Sequence, residues 1–209
     1  KNVTDAGLKD VFRLKGLQLL DLGASGVTDA GMKDLAALPS LQDLDLSHTQ
    51  VTGTGLGELA GLKDLQFLSL RKSSVTDAGL KGVGKLQHLR WLDISETKIT
   101  DAGLKELTGL KDLRTLDLTW NNLTDAGLPE LQFLSASETS VTDTGLKEMA
   151  NLTRLHTLNL GYTKITDTGL KELAELTELR TLNLSRTKIT DAGLRHLAGM
   201  KKLHTLDLR

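Results

Sequence analysis

The side chains in this chain best suited to chemistry are aspartates that recur in one setting. Asp21, Asp45, Asp93, Asp117 and Asp207 each follow the second leucine of a Leu-x-x-Leu stretch. On neighbouring strands, consecutive carboxylates of such a row lie about one strand spacing apart, ~4.8 Å. That is close enough to share a proton as an acid–base pair or to hold a cation. Asn159 and Asn183 fill the same slot in two other copies of the stretch. An acid pair does not tolerate an amide, and an open sheet rarely makes the water-excluding pocket that catalysis needs, so a structural row is the better reading. The run Gly79-Leu-Lys-Gly-Val-Gly-Lys85 has the opening spacing of a phosphate-binding loop. Leu86 stands where that loop ends in Ser or Thr, and the run falls in a helical stretch and not after a strand. Of the five histidines, only His48 falls on the face discussed below. No metal cluster, no triad and no cofactor site is therefore expected.

Total charge excludes little but points away from polyanions. With 26 basic and 27 acidic residues the net charge is −1, which makes no electrostatic case for nucleic acid or anionic lipid. No run approaches the ~18 apolar residues of a membrane span. The first residues, Lys1-Asn-Val-Thr-Asp5, carry no signal-peptide apolar region, which fits a mature, cytoplasmic or excised chain. The absence of cysteine fits a reducing compartment.

The aspartates belong to a repeat that accounts for nearly the whole sequence. A hexapeptide like Val-Thr-Asp-Ala-Gly-Leu starts at Val3, Val27, Val51, Val75, Ile99, Leu123, Val141, Ile165 and Ile189. The step is 24 residues throughout, except for 18 between Leu123 and Val141. A second signature, Leu-x-x-Leu-x-Leu, starts at Leu17, Leu41, Leu65, Leu89, Leu113, Leu131, Leu155, Leu179 and Leu203. Its last position is Ile94 in the fourth copy and Ala136 in the sixth. In Leu113–Leu118, Leu116 and Leu118 alternate with Thr115 and Asp117, the period of a strand. After Ile99, Thr100 and Asp101 read as a helix N-cap and a first-turn acid. Leu104, Leu107 and Leu110 then mark one buried helical face, with Ala36, Ala60, Ala150, Ala174 and Ala198 in the slot after the middle residue in other copies. A lone copy cannot bury its leucines, whereas stacked copies share a core. The chain therefore reads as a single solenoid domain over residues 1–209, of about eight and a half repeats.

Leu113 to Leu123 spells Leu-x-x-Leu-x-Leu-x-x-Asn-x-Leu in full, with Asn121 in the asparagine slot. In this the chain resembles the leucine-rich-repeat family. The 24-residue length with Asp-Ala-Gly in the outer half is similar to the GALA-type and ribonuclease-inhibitor-like branch found in many bacterial proteins. The resemblance implies an α/β horseshoe: a concave parallel sheet, convex short helices, and a role as an interaction module and not an enzyme. One departure is that the asparagine slot elsewhere holds a hydroxyl: Ser25, Thr49, Ser73, Thr97, Thr139, Thr163 and Thr187. A hydroxyl both donates and accepts, and so can do part of the work of the amide. In the short copy, 123–140, either the outer helix shrinks to a turn around Pro129 or six residues are absent from the given sequence. Phe12 replaces the helix alanine in the first copy and is expected to cover that end.

Differences between the copies point to function. The third position of the strand signature reads Leu19, Asp43, Phe67, Trp91, Thr115, Phe133, Thr157, Thr181 and Thr205. The eighth reads Ala24, His48, Lys72, Glu96, Trp120, Glu138, Tyr162 and Arg186. Both are expected on the face opposite the core, concave in the family. Five of the six aromatic residues fall at these two positions: Phe67, Trp91, Trp120, Phe133 and Tyr162. Phe67 and Phe133, three strands apart, would be roughly 15 Å from each other. An aromatic stacking ladder along the sheet is the alternative, but a ladder would run through every copy. Aromatic anchors beside Lys72, Glu96, Glu138 and Arg186, with Arg71 adjacent, resemble the core and rim of a protein interface. The expected partner is a protein bound on this face; self-association through the face or through uncapped solenoid ends is the second possibility.

Overall fold

The computed structural model describes residues 3–11, 13–121, 123 and 131–209. Its strands are β1 (Leu19–Asp21), β2 (Asp43–Asp45), β3 (Phe67–Ser69), β4 (Trp91–Asp93), β5 (Thr115–Asp117), β6 (Phe133–Ser135), β7 (Thr157–Asn159), β8 (Thr181–Asn183) and β9 (Thr205–Asp207). All lie side by side in chain order in one parallel nine-stranded sheet. The central leucine of each inner strand, such as Leu44, Leu92 and Leu182, is wholly buried, and its neighbours face the other way. Equivalent positions pair throughout, so that Asp43, Phe67 and Trp91 form one continuous row. The short copy keeps this register, with Phe133 opposite both Thr115 and Thr157. The turn expected around Pro129 and the expected cover by Phe12 lie outside the described residues. A continuous apolar core runs from Leu8 to Met200. These are the stacked strand-and-helix repeats around a shared core that the sequence implied.

The helical layer differs from expectation in one respect. Several copies are only half α-helical. Asp101–Leu104 and Asp167–Leu170 pass into 3-10 turns at Lys105–Leu107 and Lys171–Glu175, and Leu56–Gly61 is 3-10 throughout. The apolar residues fall every third position, which matches the ~3.0 residues per turn of that helix. Its buried face is narrower than an α-helical one. Ala60, Ala174 and Ala198, expected on the buried face, are exposed beside 3-10 turns, whereas Ala36 and Ala150 at α-helix ends are half-buried.

Neighbouring copies are joined by side chains that local signals alone do not reveal. Thr100 caps its helix as expected, its hydroxyl accepting from Ala102 N. The same hydroxyl donates to Asp77 Oδ2 of the preceding copy at 2.6 Å, and Thr100 N donates to Asp77 Oδ1 at 2.8 Å. Asp5–Thr28, Asp143–Thr166 and Asp167–Thr190 repeat the rung. The first-turn acid thus ties one repeat to the next. The following glycine makes room for it, since a Cβ on Gly31 would lie 2.6 Å from Asp5 Oδ1. Gly53 replaces the acid in the third copy, at φ +94°, and its backbone packs directly on Gly79 of the fourth. Gly82 is pressed against the same copy, where its Cβ would meet Gly53 O at 2.7 Å. Tight repeat packing, and not a phosphate loop, explains the glycines of 79–84. Asp29 of the second copy makes the usual rung to Thr52 N and Thr52 Oγ1 and also accepts from Gly53 N and Gly55 N. Burial pushes its carboxyl up, but these four bonds outweigh that and hold it below the usual range.

The asparagine slot behaves as its chemistry suggests. The hydroxyls of Thr49, Ser73, Thr97, Thr139, Thr163 and Thr187 each donate to the carbonyl three residues back. Asn121 does more: Nδ2 donates to Leu118 O and to Ile94 O of the preceding copy, while Oδ1 accepts from Ile99 N. The hydroxyls close their own turns, and the amide also bridges two copies.

Candidate recognition face

The surface available to a partner is built from the strand residues that point away from the core and from the turns that follow. Fifth-position oxygens organise those turns. Asp45 accepts from Ser47 N, Asp93 from Ser95 N, Asp117 from Thr119 N, and Asn159 and Asn183 from Gly161 N and Ser185 N. An oxygen two residues before the turn is all that this role needs, which is why Asp and Asn interchange. The aspartate row is thereby accounted for as turn chemistry. Asp93 titrates above the usual range because burial, with Asp117 adding repulsion, outweighs its bonds from Ser95 and the pull of Arg71.

The turn then places every described eighth-position residue in the left-handed region, with φ from 52° at Lys72 to 61° at Trp120. For a residue with a Cβ this conformation costs roughly 1–2 kcal/mol. The backbone holds it by bonding sideways: Lys72 N donates to Ser95 O, Glu138 N to Gly161 O and Tyr162 N to Ser185 O. The eighth-position side chains therefore leave from turns past the strand ends, and not from the strands that carry the third position. Nothing in one copy's sequence marks this, since the slot holds Ala, His, Lys, Glu, Trp, Tyr and Arg in place of the expected glycine or asparagine.

Of the five aromatic residues, the structure brings Phe67 and Trp91 together, ring centroids 6.5 Å apart and planes tilted by 35°. Among the described residues no other ring pair is in contact. Trp91 and Phe133, both half-buried, are separated by Thr115. Trp120 and Tyr162 stand on their turns and are the most exposed rings, at 59% and 57%. Glu96 is bonded by Arg71 at 2.6 Å and lies 3.6 Å from Lys72 Nζ, a contact that holds its carboxyl below the usual range. Glu138 is half-buried, and exposed Arg186 shares a shallow depression with Tyr162, Asp207 and Arg209. Phe67 and Trp91 line a second depression with Asp43, Asp45 and Ser69. Leu19, 62% exposed beside Asp43, completes the row of non-core side chains. Its slot was visible in the repeat alignment, but an aliphatic among leucines does not stand out. At the far edge, Leu206 and Leu208 of the last copy are exposed at slots buried in the inner copies. Among the described residues no group of three or more His, Cys, Asp or Glu is placed to hold a metal, and no helix is long and apolar enough to cross a membrane.

Comparisons with known proteins agree with this architecture. A family model described as leucine-rich repeat region matches residues 55–209, and one described as leucine rich repeat matches 37–60. Internalin C2 from Listeria monocytogenes superimposes with a TM-score of 0.78 at 31% identity, over 99% of this chain and 84% of that one. A leucine-rich-repeat protein of Leptospira interrogans gives 0.68 at 25% identity, over 94% of this chain and 56% of that one. TLR13, solved as a complex with ssRNA13, shares the fold at 0.70 and 21% identity, over 99% of this chain and 30% of that one. A comparison with curated protein sequences finds no match. With its repeats, its single parallel sheet and these similarities in agreement, the chain belongs to the leucine-rich-repeat family, in a form similar to bacterial members.

Proposed function

We propose that the chain is a protein-recognition module whose partner binds the concave sheet face. Phe67, Trp91 and Phe133 serve as anchors, Trp120 and Tyr162 extend the contact from the turns, and Lys72, Glu96, Glu138 and Arg186 set register around them. The observation that carries this reading is where the rings are. The core is almost entirely aliphatic, whereas Phe67, Trp91 and Phe133 lie on the outward side of the sheet and Trp120 and Tyr162 on the turns that follow its strands, with Phe67, Trp120 and Tyr162 42–59% exposed. Large rings left in water contribute little to the fold, while each can bury ~150–250 Å² against a partner. No catalytic step is assigned.

The test is a paired capture. Wild type, a Phe67→Ser/Trp91→Ser/Phe133→Ser variant and a Lys81→Ala/Lys105→Ala/Lys171→Ala variant of the outer layer are compared for the same bound protein. Recovery by wild type and the outer variant, with loss in the sheet variant, is expected. Equal recovery by the sheet variant would place the contact elsewhere. Self-association is the second reading, favoured by the exposure of Trp120 and Tyr162 beside the sheet. Light scattering decides it: a dimer that the triple serine variant dissolves makes the aromatic face homotypic, and a dimer dissolved only by Leu206→Ser/Leu208→Ser makes the edge so.

A further inference from the structure

The depression between β2 and β4 combines two features that call for one kind of ligand. Its rim and floor are Asp43, Asp45, Phe67, Ser69 and Trp91. The rings offer an aromatic face, with Phe67 42% exposed. The two carboxylates offer charge that no described residue pairs with. Among the described residues Asp45 accepts only from Ser47 N, and Asp43 takes part in no ion pair and no side-chain hydrogen bond. The nearby cations are engaged elsewhere: Arg71 is bonded to Glu96, with Asp93 and Asp117 as its further acidic neighbours, and Lys72 also leans on Glu96. Burial, with Asp45 adding repulsion, pushes the Asp43 carboxyl up. Among the third-position residues only Asp43 is acidic, so an acid at both slots of one strand occurs only in β2. In β7 and β8 the same slots hold Thr157, Asn159, Thr181 and Asn183.

We infer that this depression receives an arginine side chain of the protein partner, its guanidinium stacked on Phe67 and Trp91 and hydrogen-bonded to Asp43 and Asp45. The inference rests on the recognition role proposed above and adds the chemistry of the partner. A wholly apolar partner covering these rings would strip water from two carboxylates without supplying a counter-charge, which is strongly unfavourable. A polyanion would meet the same carboxylates with the wrong sign. A metal ion finds only two acids here, and no described cluster of three exists. Arginine satisfies both halves at once, because its planar, weakly hydrated guanidinium stacks on rings and pairs with carboxylates through a fork of donors. Lysine has the charge without the plane.

The chain has two tryptophans, so its spectrum holds two indole N–H signals, with Trp120 serving as internal control for Trp91. Acetyl-arginine amide, acetyl-lysine amide and neutral acetyl-citrulline amide are titrated in turn while both signals are followed by NMR. The Asp43→Asn/Asp45→Asn variant keeps an amide oxygen for Ser47 N, the arrangement that Asn159 and Asn183 already use, so the turn is retained. The expected result is a saturable shift of Trp91 with the arginine probe, at least about tenfold weaker for citrulline and in the double variant, and falling with added salt. Equal response to citrulline, or no weakening in the double variant, overturns the arginine assignment and leaves the aromatic recognition surface standing. No shift of Trp91 with any probe overturns it as well, and the recognition role is then judged by the paired capture alone.

Discussion

Removing the Asp77 carboxylate tests the idea that the acid–threonine rungs hold the solenoid together. Asp77→Ala deletes two charge-assisted bonds, to Thr100 N at 2.8 Å and Thr100 Oγ1 at 2.6 Å. Such bonds are worth about 1.5–3 kcal/mol each when buried. Both residues are half-buried, so water can replace the lost acceptor, and about 1 kcal/mol each is the better figure. The expected loss is ~2 kcal/mol, or roughly 4–8 °C in Tm for a chain of this size. Urea unfolding followed by circular dichroism measures it for wild type, Asp77→Ala, Thr100→Val and the double variant. A coupling energy of about 1 kcal/mol between the two sites is expected, since they belong to adjacent repeats and meet only through the rung. A single-variant loss below about 0.5 kcal/mol, or additivity within about 0.3 kcal/mol, would refute the reasoning.

Asn121 bridges two copies, so Asn121→Ala is expected to cost about 2–3 kcal/mol and Asn121→Ser about half of that, because serine can still close its own turn; the same unfolding assay reads both. Phe67→Ser is expected to cost no more than about 1.5 kcal/mol, the scale of a lost ring contact, while Leu92→Ala in the adjacent core costs about 2–5 kcal/mol. Asp29 has a folded pKa below its unfolded value near 3.8, so its contribution is fully present above that pH and is lost as pH falls through the folded value. Acid titration of stability is therefore expected to be shallower in Asp29→Asn. Asp43 is the opposite case: its folded value is raised, so ionised Asp43 disfavours the fold once pH exceeds that value. Asp43→Asn is expected to be more stable than wild type at pH 7, a gain that vanishes below the unfolded value near 3.8.

The architecture was legible in the sequence because two periods alternate at a fixed step. Leu116 and Leu118 mark a strand, Leu104 and Leu107 mark a helical face, and no isolated copy can bury both sets. What could not be read are the contacts between copies, since they link residues 23 apart that look complete on their own. Asp77 reads as an ordinary first-turn acid and Thr100 as an ordinary cap, until stacking places them together. The mixed helix was half visible: the step of three between leucines was on the page, and only the narrowness of the buried face, shown by exposed Ala60 and Ala174, reveals its consequence. At the candidate site, the third-position rings were identifiable because Phe67 and Trp91 break a pattern dominated by threonine. The left-handed turn at the eighth position was hidden, because the slot is occupied by residues that seldom adopt that conformation.

The concave face as the recognition surface is tested most directly by where a partner can be cross-linked. A photoreactive benzoylphenylalanine is placed at Thr115, between Trp91 and Phe133 on the sheet, or at Lys105 on the outer layer. An adduct formed from position 115 and not from 105, and lost when Phe67→Ser/Trp91→Ser is added, is the expected result. An adduct formed from 105 while 115 stays unreacted would contradict the assignment of the sheet face.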